Sequence, residues 1–284
     1  MLRPKNNKTK PRIKHRPFLK WAGGKFRLTD DLNRVFPKRK QCLIEPFVGA
    51  GAVFLNSHFE RYILADINPD LINLFNIVKD NVDAYIEACK PIFFAENANT
   101  AEYYYAQRDT FNQSTDPFER SVLFLYLNRF GFNGLCRYNS KNEFNVPFGA
   151  YKTHYFPEDE LRYFAHKAQS AVFLCADFQQ TFELADKHSV IYCDPPYAPL
   201  PQDTNFTGYA GNAFGFEHQK NLAECAKKAQ KEKQISVVIS NHDTKFTREI
   251  YKGAKFKRVK VQRSISQSSE KRVKVKELIA IFKG

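Results

Sequence analysis

The sequence predicts a doubly wound α/β fold: a mostly parallel, seven-stranded sheet interrupted by one inserted, mainly helical domain. Three observations lead there. Short apolar segments bounded by turn residues alternate with helix-like stretches, the pattern of an open parallel sheet. The alternation stops between about Pro69 and Pro157, where the composition becomes aromatic and helical. A chain of 284 residues also has enough surface to bury a full α/β core and still hold one insertion.

In chain order, the predicted strands are Cys42 to Glu45, Tyr62 to Ala65, Ala171 to Leu174, Val190 to Cys193, Ile235 to Ile239 and Phe256 to Val261. A seventh, Glu277 to Phe282, is expected to close an edge. Glu217 to Lys233 places Leu222, Ala223, Ala226 and Ala229 on one face with lysines around the other, as an amphipathic helix requires. Within the insertion, Asp116-Pro117-Phe118 starts a helix that carries the apolar run Val122 to Leu127. The Gly- and Asn-rich stretch from Gly131 to Gly149 reads as loop or hairpin. The division is then a basic, disordered arm (1–17), a sheet domain in two pieces (18–68 and 158–284) and the insertion (69–157).

The net charge of +14 is concentrated at the two ends. Residues 1–17 carry +7 and residues 245–284 carry +10, which leaves −3 for everything between. Ends that border a polyanion around a central site would give this distribution, and so would a ribosome-bound or simply soluble basic protein. Six cysteines (Cys42, Cys89, Cys136, Cys175, Cys193 and Cys225) show neither Cys-x-x-Cys spacing nor a His placed to complete a zinc site. They read as reduced thiols, and no metal is expected. No apolar run approaches the roughly 18 to 20 residues needed to span a bilayer, and the basic arm lacks the apolar core of a secretory signal. A soluble, cytoplasmic protein with no membrane partner is expected.

Phe47-Val48-Gly49-Ala50-Gly51 directly follows the first strand, so Gly49 and Gly51 fall where the chain must turn sharply and a ligand can approach the backbone. A tight turn without a ligand fits as well, and Phe54 stands where the dinucleotide fingerprint has its third glycine. The second strand ends in Asp66, 15 residues past Gly51, where an acid can accept from both ribose hydroxyls; it could instead cap a helix before Ile67-Asn68-Pro69. Upstream, Trp21 and the Gly23-Gly24-Lys25 turn fail the phosphate-loop spacing but suit a carboxylate.

Asp194-Pro195-Pro196-Tyr197 follows the strand ending at Cys193, at the carboxyl edge where open α/β sheets place their sites. Two prolines remove two backbone donors and leave carbonyls free of neighbouring N–H groups, so this turn accepts hydrogen bonds and does not donate them. That suits a planar amino nitrogen whose lone pair is delocalised into a ring. If the Asp194 carboxylate and the Pro195 carbonyl each take one of its hydrogens, the lone pair turns toward an electrophile. Tyr197 offers a face on which a base can stack. A Pro-Pro turn with a capping Asp is the structural alternative.

Taken in order, Phe18–Lys25, Glu45–Gly51, Leu64–Asn68, Leu125–Arg129, Asn133–Asn139, Asn145–Gly149, Asp194–Ala198 and Ser240–Asp243 resemble the Dam family of DNA adenine methyltransferases. The similarity runs from about Phe18 to the C-terminus. It implies a methyltransferase sheet, an inserted DNA target-recognition domain, and methylation of adenine N6 in duplex GATC with S-adenosylmethionine, by a cytoplasmic, nucleoid-associated enzyme. It further implies that Trp21, Lys25, Asp66 and Asp194 bind the cofactor, beside the Phe47 to Gly51 loop, and that Asp194 to Tyr197 surround the flipped adenine. Lys20, Leu135, Arg137, Pro147 and Tyr151 would contact bases of the site, next to Asn133. Phe132 stands where the family commonly has a tyrosine that enters the stack, so the aromatic face remains without the hydroxyl. A guanidinium on such a loop is also the preferred bidentate reader of guanine O6 and N7, although a loop arginine can equally be a phosphate contact.

Two other readings compete. A methyltransferase of RNA or protein glutamine could use the same Asp-Pro-Pro-Tyr turn, but it needs no Arg- and aromatic-bearing loop for a duplex. A non-enzymatic DNA-binding protein would use the charged ends but not the Gly loop, Asp66 and Asp194 together.

Overall fold

The computed structural model describes residues 13–197, 214–261 and 275–284. Residues 1–12 of the basic arm, Ala198, and residues 262–274 of the basic C-terminal segment lie outside the described residues.

Seven strands form one sheet: β1 (Cys42–Glu45), β2 (Arg61–Asp66), β3 (Ala171–Cys175), β4 (Ser189–Cys193), β5 (Ser236–His242), β6 (Lys255–Val261) and β7 (Val275–Phe282). Their order is β3-β2-β1-β4-β5-β7-β6. The first five are parallel, and β7 runs antiparallel to both β5 and β6. The expected edge position of the last strand is therefore corrected: β7 lies inside the sheet and β6 is the edge. Composition explains the exchange. Leu278 to Phe282 is a continuous apolar run buried on both faces, whereas β6 carries Lys255, Lys257 and Arg258, the charges that keep an exposed edge from pairing further.

Strand residues alternate between two cores, as the two-residue period of a strand demands. Leu43, Val190 and Tyr192 enter one core, while Ile44, Ile191 and Cys193 enter the other.

Around the sheet lie α1 (Thr29–Val35), α2 (Ala52–Asn56) and α3 (Pro69–Asp80), followed by α4 (Val82–Phe93), α5 (Ala101–Gln113) and α6 (Pro117–Phe130). After them come α7 (Glu158–Ala168), α8 (Phe178–Glu183), α9 (Phe216–Lys233) and α10 (Lys245–Ile250). Asp116 caps α6 by accepting from the Glu119 N–H at 2.7 Å, with Pro117 in the first turn. Val122 to Leu127 are all buried although they encircle α6, because α3, α4 and α5 enclose it. Helix α3 also packs on β2, β3 and α7, so one apolar core runs without interruption from a face of the sheet into the helices around α6. Residues 131–149 form a loop held by two isolated antiparallel bridges, Gly131 with Phe148 and Tyr138 with Phe144. Helix α9 buries Leu222, Ala223, Ala226 and Ala229 as its periodicity requires.

The end of the arm is not free. The Lys14 ammonium lies 2.8 Å from Asp30, the His15 N–H donates to Asn56, and the His15 ring stacks on Tyr163 with centroids 3.4 Å apart. Disorder, expected through residue 17, therefore does not describe residues 14–15; paired hydrogen bonds between His15 and Asn56 hold the backbone there. All six cysteines are free thiols. Among the described residues no helix is long and apolar enough to cross a membrane.

Candidate active site

The sheet order reverses between β1 and β4, whose following connections diverge and leave a crevice at their carboxyl ends. Trp21, Lys25, Gly49, Asp66, Asp194 and Tyr197 line one continuous cavity there, with Phe47, Pro195 and Pro196 in its wall.

Gly49 and Gly51 both take positive φ, 48° and 74°, a conformation costly for residues with a Cβ. At Gly49 space demands it too: a Cβ would lie 2.8 Å from the Trp21 indole nitrogen. Gly51, by contrast, serves the turn, since a Cβ there would meet only ordinary contacts. The Gly49 N–H donates to one Asp66 carboxylate oxygen at 3.2 Å, and the Asn68 N–H to the other at 3.1 Å. Asn68, not Asp66, caps α3, accepting from the N–H groups of Asp70 and Leu71. That removes the capping alternative for Asp66. Burial raises its carboxyl pKa, and the three backbone N–H groups of Asn68, Gly49 and Ile67 oppose the rise.

At the reacting end, the buried Lys25 ammonium lies 3.0 Å from Asp194 Oδ1 and 4.7 Å from the centre of the Tyr197 ring. Burial pushes the Asp194 carboxyl up to about 6; Lys25 pulls it down, and the charge of Glu277 adds to the rise. The Pro196 carbonyl, expected to be available, accepts from the Gln219 amide at 2.7 Å. Gln219 is itself buried and bound to Asn241 and Tyr251, so it anchors the turn to α9 and β5. The Pro195 carbonyl has no partner among the described residues, so of the two it alone remains as an acceptor.

The residues expected to face bases cluster beside the cavity. Lys20 places its ammonium 3.9 Å from the centre of the Tyr151 ring and donates to the Arg129 carbonyl at 2.8 Å. Burial, assisted by Arg129, lowers its pKa to about 8. The Phe132 N–H donates to the Pro147 carbonyl, and the Leu135 N–H to the Phe132 carbonyl. Asn133, Arg137 and Pro147 are exposed on this half-buried frame. Of these residues only Arg137 reaches the cavity rim. Its neighbours are fastened to the start of α3: the Tyr138 hydroxyl donates to Asp70 at 2.6 Å, Asp70 is paired bidentately with Arg120, and Asn68 reaches the Cys136 sulfur at 3.3 Å.

Residues 21–265 match the model of the D12 class N6 adenine-specific DNA methyltransferases. The chain belongs to that family. It is 83% identical over 282 residues to a DNA adenine methylase of Haemophilus influenzae, with 99% of each chain covered. It is 58% identical to the DNA adenine methylases of Escherichia coli K12 and Vibrio cholerae O395, covering 95% of this chain and 96% of theirs. As an N6 adenine methyltransferase it acts on DNA, and the exposed Lys- and Arg-bearing loop beside the crevice is a surface suited to that substrate.

Two acids of this methyltransferase's cavity escape a reading of the sequence. Glu45, at the end of β1, is buried with its Oε1 unpartnered among the described residues. Desolvation, then the charge of Asp194, holds its carboxyl well above the usual range. Glu277, on β7, is 5% exposed and also lines the cavity. A local signal exists for each, an acid ending an apolar strand and an acid opening one, but neither indicates which site the strand will border.

Proposed function

We propose that this methyltransferase transfers a methyl group from S-adenosylmethionine to N6 of a flipped-out adenine in duplex GATC. The observation that carries the reading is Asp194 at the switch point of the sheet, paired with Lys25 and followed by the Pro195 carbonyl and the Tyr197 ring. The residues fit the cofactor. Six acids (Glu45, Asp66, Asp70, Asp177, Asp194 and Glu277) and four basic side chains (Lys25, Arg27, Arg120 and Arg137) line the cavity, and one Glu45 oxygen is orphaned, a surplus of acceptor oxygens that suits a ligand bearing ammonium and sulfonium groups. S-adenosylmethionine supplies, when bound, an electrophilic methyl group. Asp66, held by backbone N–H groups, keeps lone pairs for ribose hydroxyls; Gly49 lets the Trp21 indole close against the loop that borders the cavity; Lys25 suits a carboxylate.

The protein's part in the transfer is to orient the acceptor. The Asp194 carboxylate and the Pro195 carbonyl accept the two N6 hydrogens and draw the nitrogen toward tetrahedral geometry, while Tyr197 stacks on the base. Orientation of this kind can remove roughly 7 to 11 kcal/mol of barrier. Labelled S-adenosylmethionine offered with duplexes that differ at one base pair of GATC tests the proposal. Label confined to adenine N6 of the GATC duplex is expected; equal labelling of all duplexes, or labelling of RNA or protein controls, would sink it.

Because the carboxylate form is the acceptor, the single-turnover rate should fall about tenfold per pH unit once the pH drops below about 6. Stability follows the opposite sign. A carboxyl whose folded pKa is raised stabilises the fold while protonated, and that contribution is lost as pH rises through about 6. Activity and this contribution to stability therefore trade against each other over the same window. A rate flat down to pH 5 would contradict the assignment.

Replacing Gly49 by Ala forces a Cβ into positive φ and against the indole, a strain of about 1–2 kcal/mol before any steric shift. The expected result is S-adenosylmethionine binding weakened about tenfold, with DNA affinity preserved. Trp21, the single tryptophan, supplies the fluorescence signal for the titration.

A further inference from the structure

We infer that Glu277 is a positioning residue for methyl transfer, holding the Tyr197 ring in place through its hydroxyl. The inference rests on the reading of Tyr197 as the face on which the target adenine stacks.

Because β7 runs antiparallel to β5, its N-terminal end meets the carboxyl end of β5, at the edge of the sheet where Asp194 emerges. The register pairs Glu277 directly with His242, and directly opposed residues project from the same face. Both reach Tyr197. Its hydroxyl donates to Glu277 Oε2 at 3.2 Å, and the His242 ring meets the tyrosine ring edge-on, with centroids 4.7 Å apart and planes at 80°. The Lys25 ammonium stands 4.7 Å from the ring centre. Lys25 and His242 thus restrict rotation of the ring about its own axis, while the bond to Glu277 fixes where its tip points. A register slip of one residue would replace the carboxylate with Leu278 or Lys276 and remove the contact.

Packing alone does not account for an acid here. Glu277 is buried directly before the apolar run Leu278 to Phe282 of β7, and its charge opposes ionisation of the neighbouring Asp194. The Tyr197 hydroxyl also interacts with Asp194, so it lies between the two carboxylates. Glu277 falls outside the residues that match the family model, which end at 265.

A double-mutant cycle on the single-turnover methylation rate of a GATC duplex tests the inference. Glu277→Ala is expected to slow methylation about tenfold or more, with S-adenosylmethionine affinity within about twofold of the parent protein. Glu277→Gln, whose carboxamide oxygen still accepts the hydroxyl, should restore most of that loss. In a Tyr197→Phe background Glu277→Ala should add less than about twofold, because the bond it acts through is already gone. Multiplicative effects in the double variant would overturn the inference, as would an unchanged rate in Glu277→Ala. Where Glu277→Ala impairs folding, Tyr197→Phe removes the same bond, together with the hydroxyl's contact to Asp194, with the ring retained, and a parental rate there overturns the inference too. A 2-aminopurine at the target position separates the two levels of argument. If the parent protein neither brightens it nor methylates the matching duplex, the stacking reading fails; if it does both and the variants match it, only the role of Glu277 fails.

Discussion

Asp194→Ala is expected to lower methyl transfer by a factor on the order of 10² to 10³ or more, with DNA affinity changed little. The substitution removes the carboxylate proposed to accept from N6 and leaves the Pro195 carbonyl as the remaining proposed acceptor. It also removes the 3.0 Å partner of Lys25, an ammonium only 6% exposed, and so leaves a buried cation uncompensated. Cofactor affinity should therefore drop along with the rate, whereas the exposed loop at Asn133, Arg137 and Pro147 lies outside the change. Asp194→Asn separates the two contributions. Its amide keeps one acceptor oxygen and the packing but loses the charge, so a rate between those of the parent and Ala is expected. Rapid-quench single turnovers at saturating S-adenosylmethionine, paired with gel-shift affinities for a GATC duplex, measure both. Near-parental activity in Asp194→Ala would refute the proposed chemistry.

The second large effect is on sequence choice. Arg137→Ala should cost about 1–3 kcal/mol of discrimination at one base pair, roughly five- to 150-fold, while non-specific DNA binding weakens far less. Asn145 orients the Arg137 guanidinium: Nε donates to the Asn145 side-chain oxygen at 2.7 Å and an Nη donates to the Asn145 carbonyl at 3.1 Å. The other guanidinium nitrogen remains to address a guanine edge. Its flanking residues do not drift, because Tyr138 is tied to the Asp70–Arg120 pair and Cys136 to Asn68. Asn145→Ala should consequently give a milder loss in the same direction, since it removes only the orientation. Methylation rates on GATC and on each single-base variant provide the ratio. A uniform loss on every duplex would make Arg137 a phosphate contact.

All seven strands and the helix of residues 216–233 were legible in the sequence, because their signals are local: apolar runs of fixed period, ended by Gly, Pro or Asp. The positions of the Phe47 to Gly51 loop and of the Asp-Pro-Pro-Tyr turn at strand ends were legible for the same reason, each directly following a strand. Less accessible was the boundary of the insertion. Helix α3 looks like the start of a foreign segment by composition, yet it packs on β2 and β3 as well as on α6, and packing partners are not written in a local pattern.

By itself, then, the sequence determined the element types, the positions of Gly49, Asp66 and Asp194 at strand ends, and through the ordered motifs the family. Tertiary structure decided what depends on neighbours remote in the chain. Asp66 received the Gly49 backbone N–H; Gln219 took the Pro196 carbonyl; β7 entered between β5 and β6 and brought Glu277 to Tyr197. The physical reason is common to all three. A hydrogen bond or a strand pairing is a competition among every group that the fold brings within reach, and Gly49 and Asp66, 17 residues apart, Pro196 and Gln219, 23 apart, and Tyr197 and Glu277, 80 apart, meet only after the chain has folded.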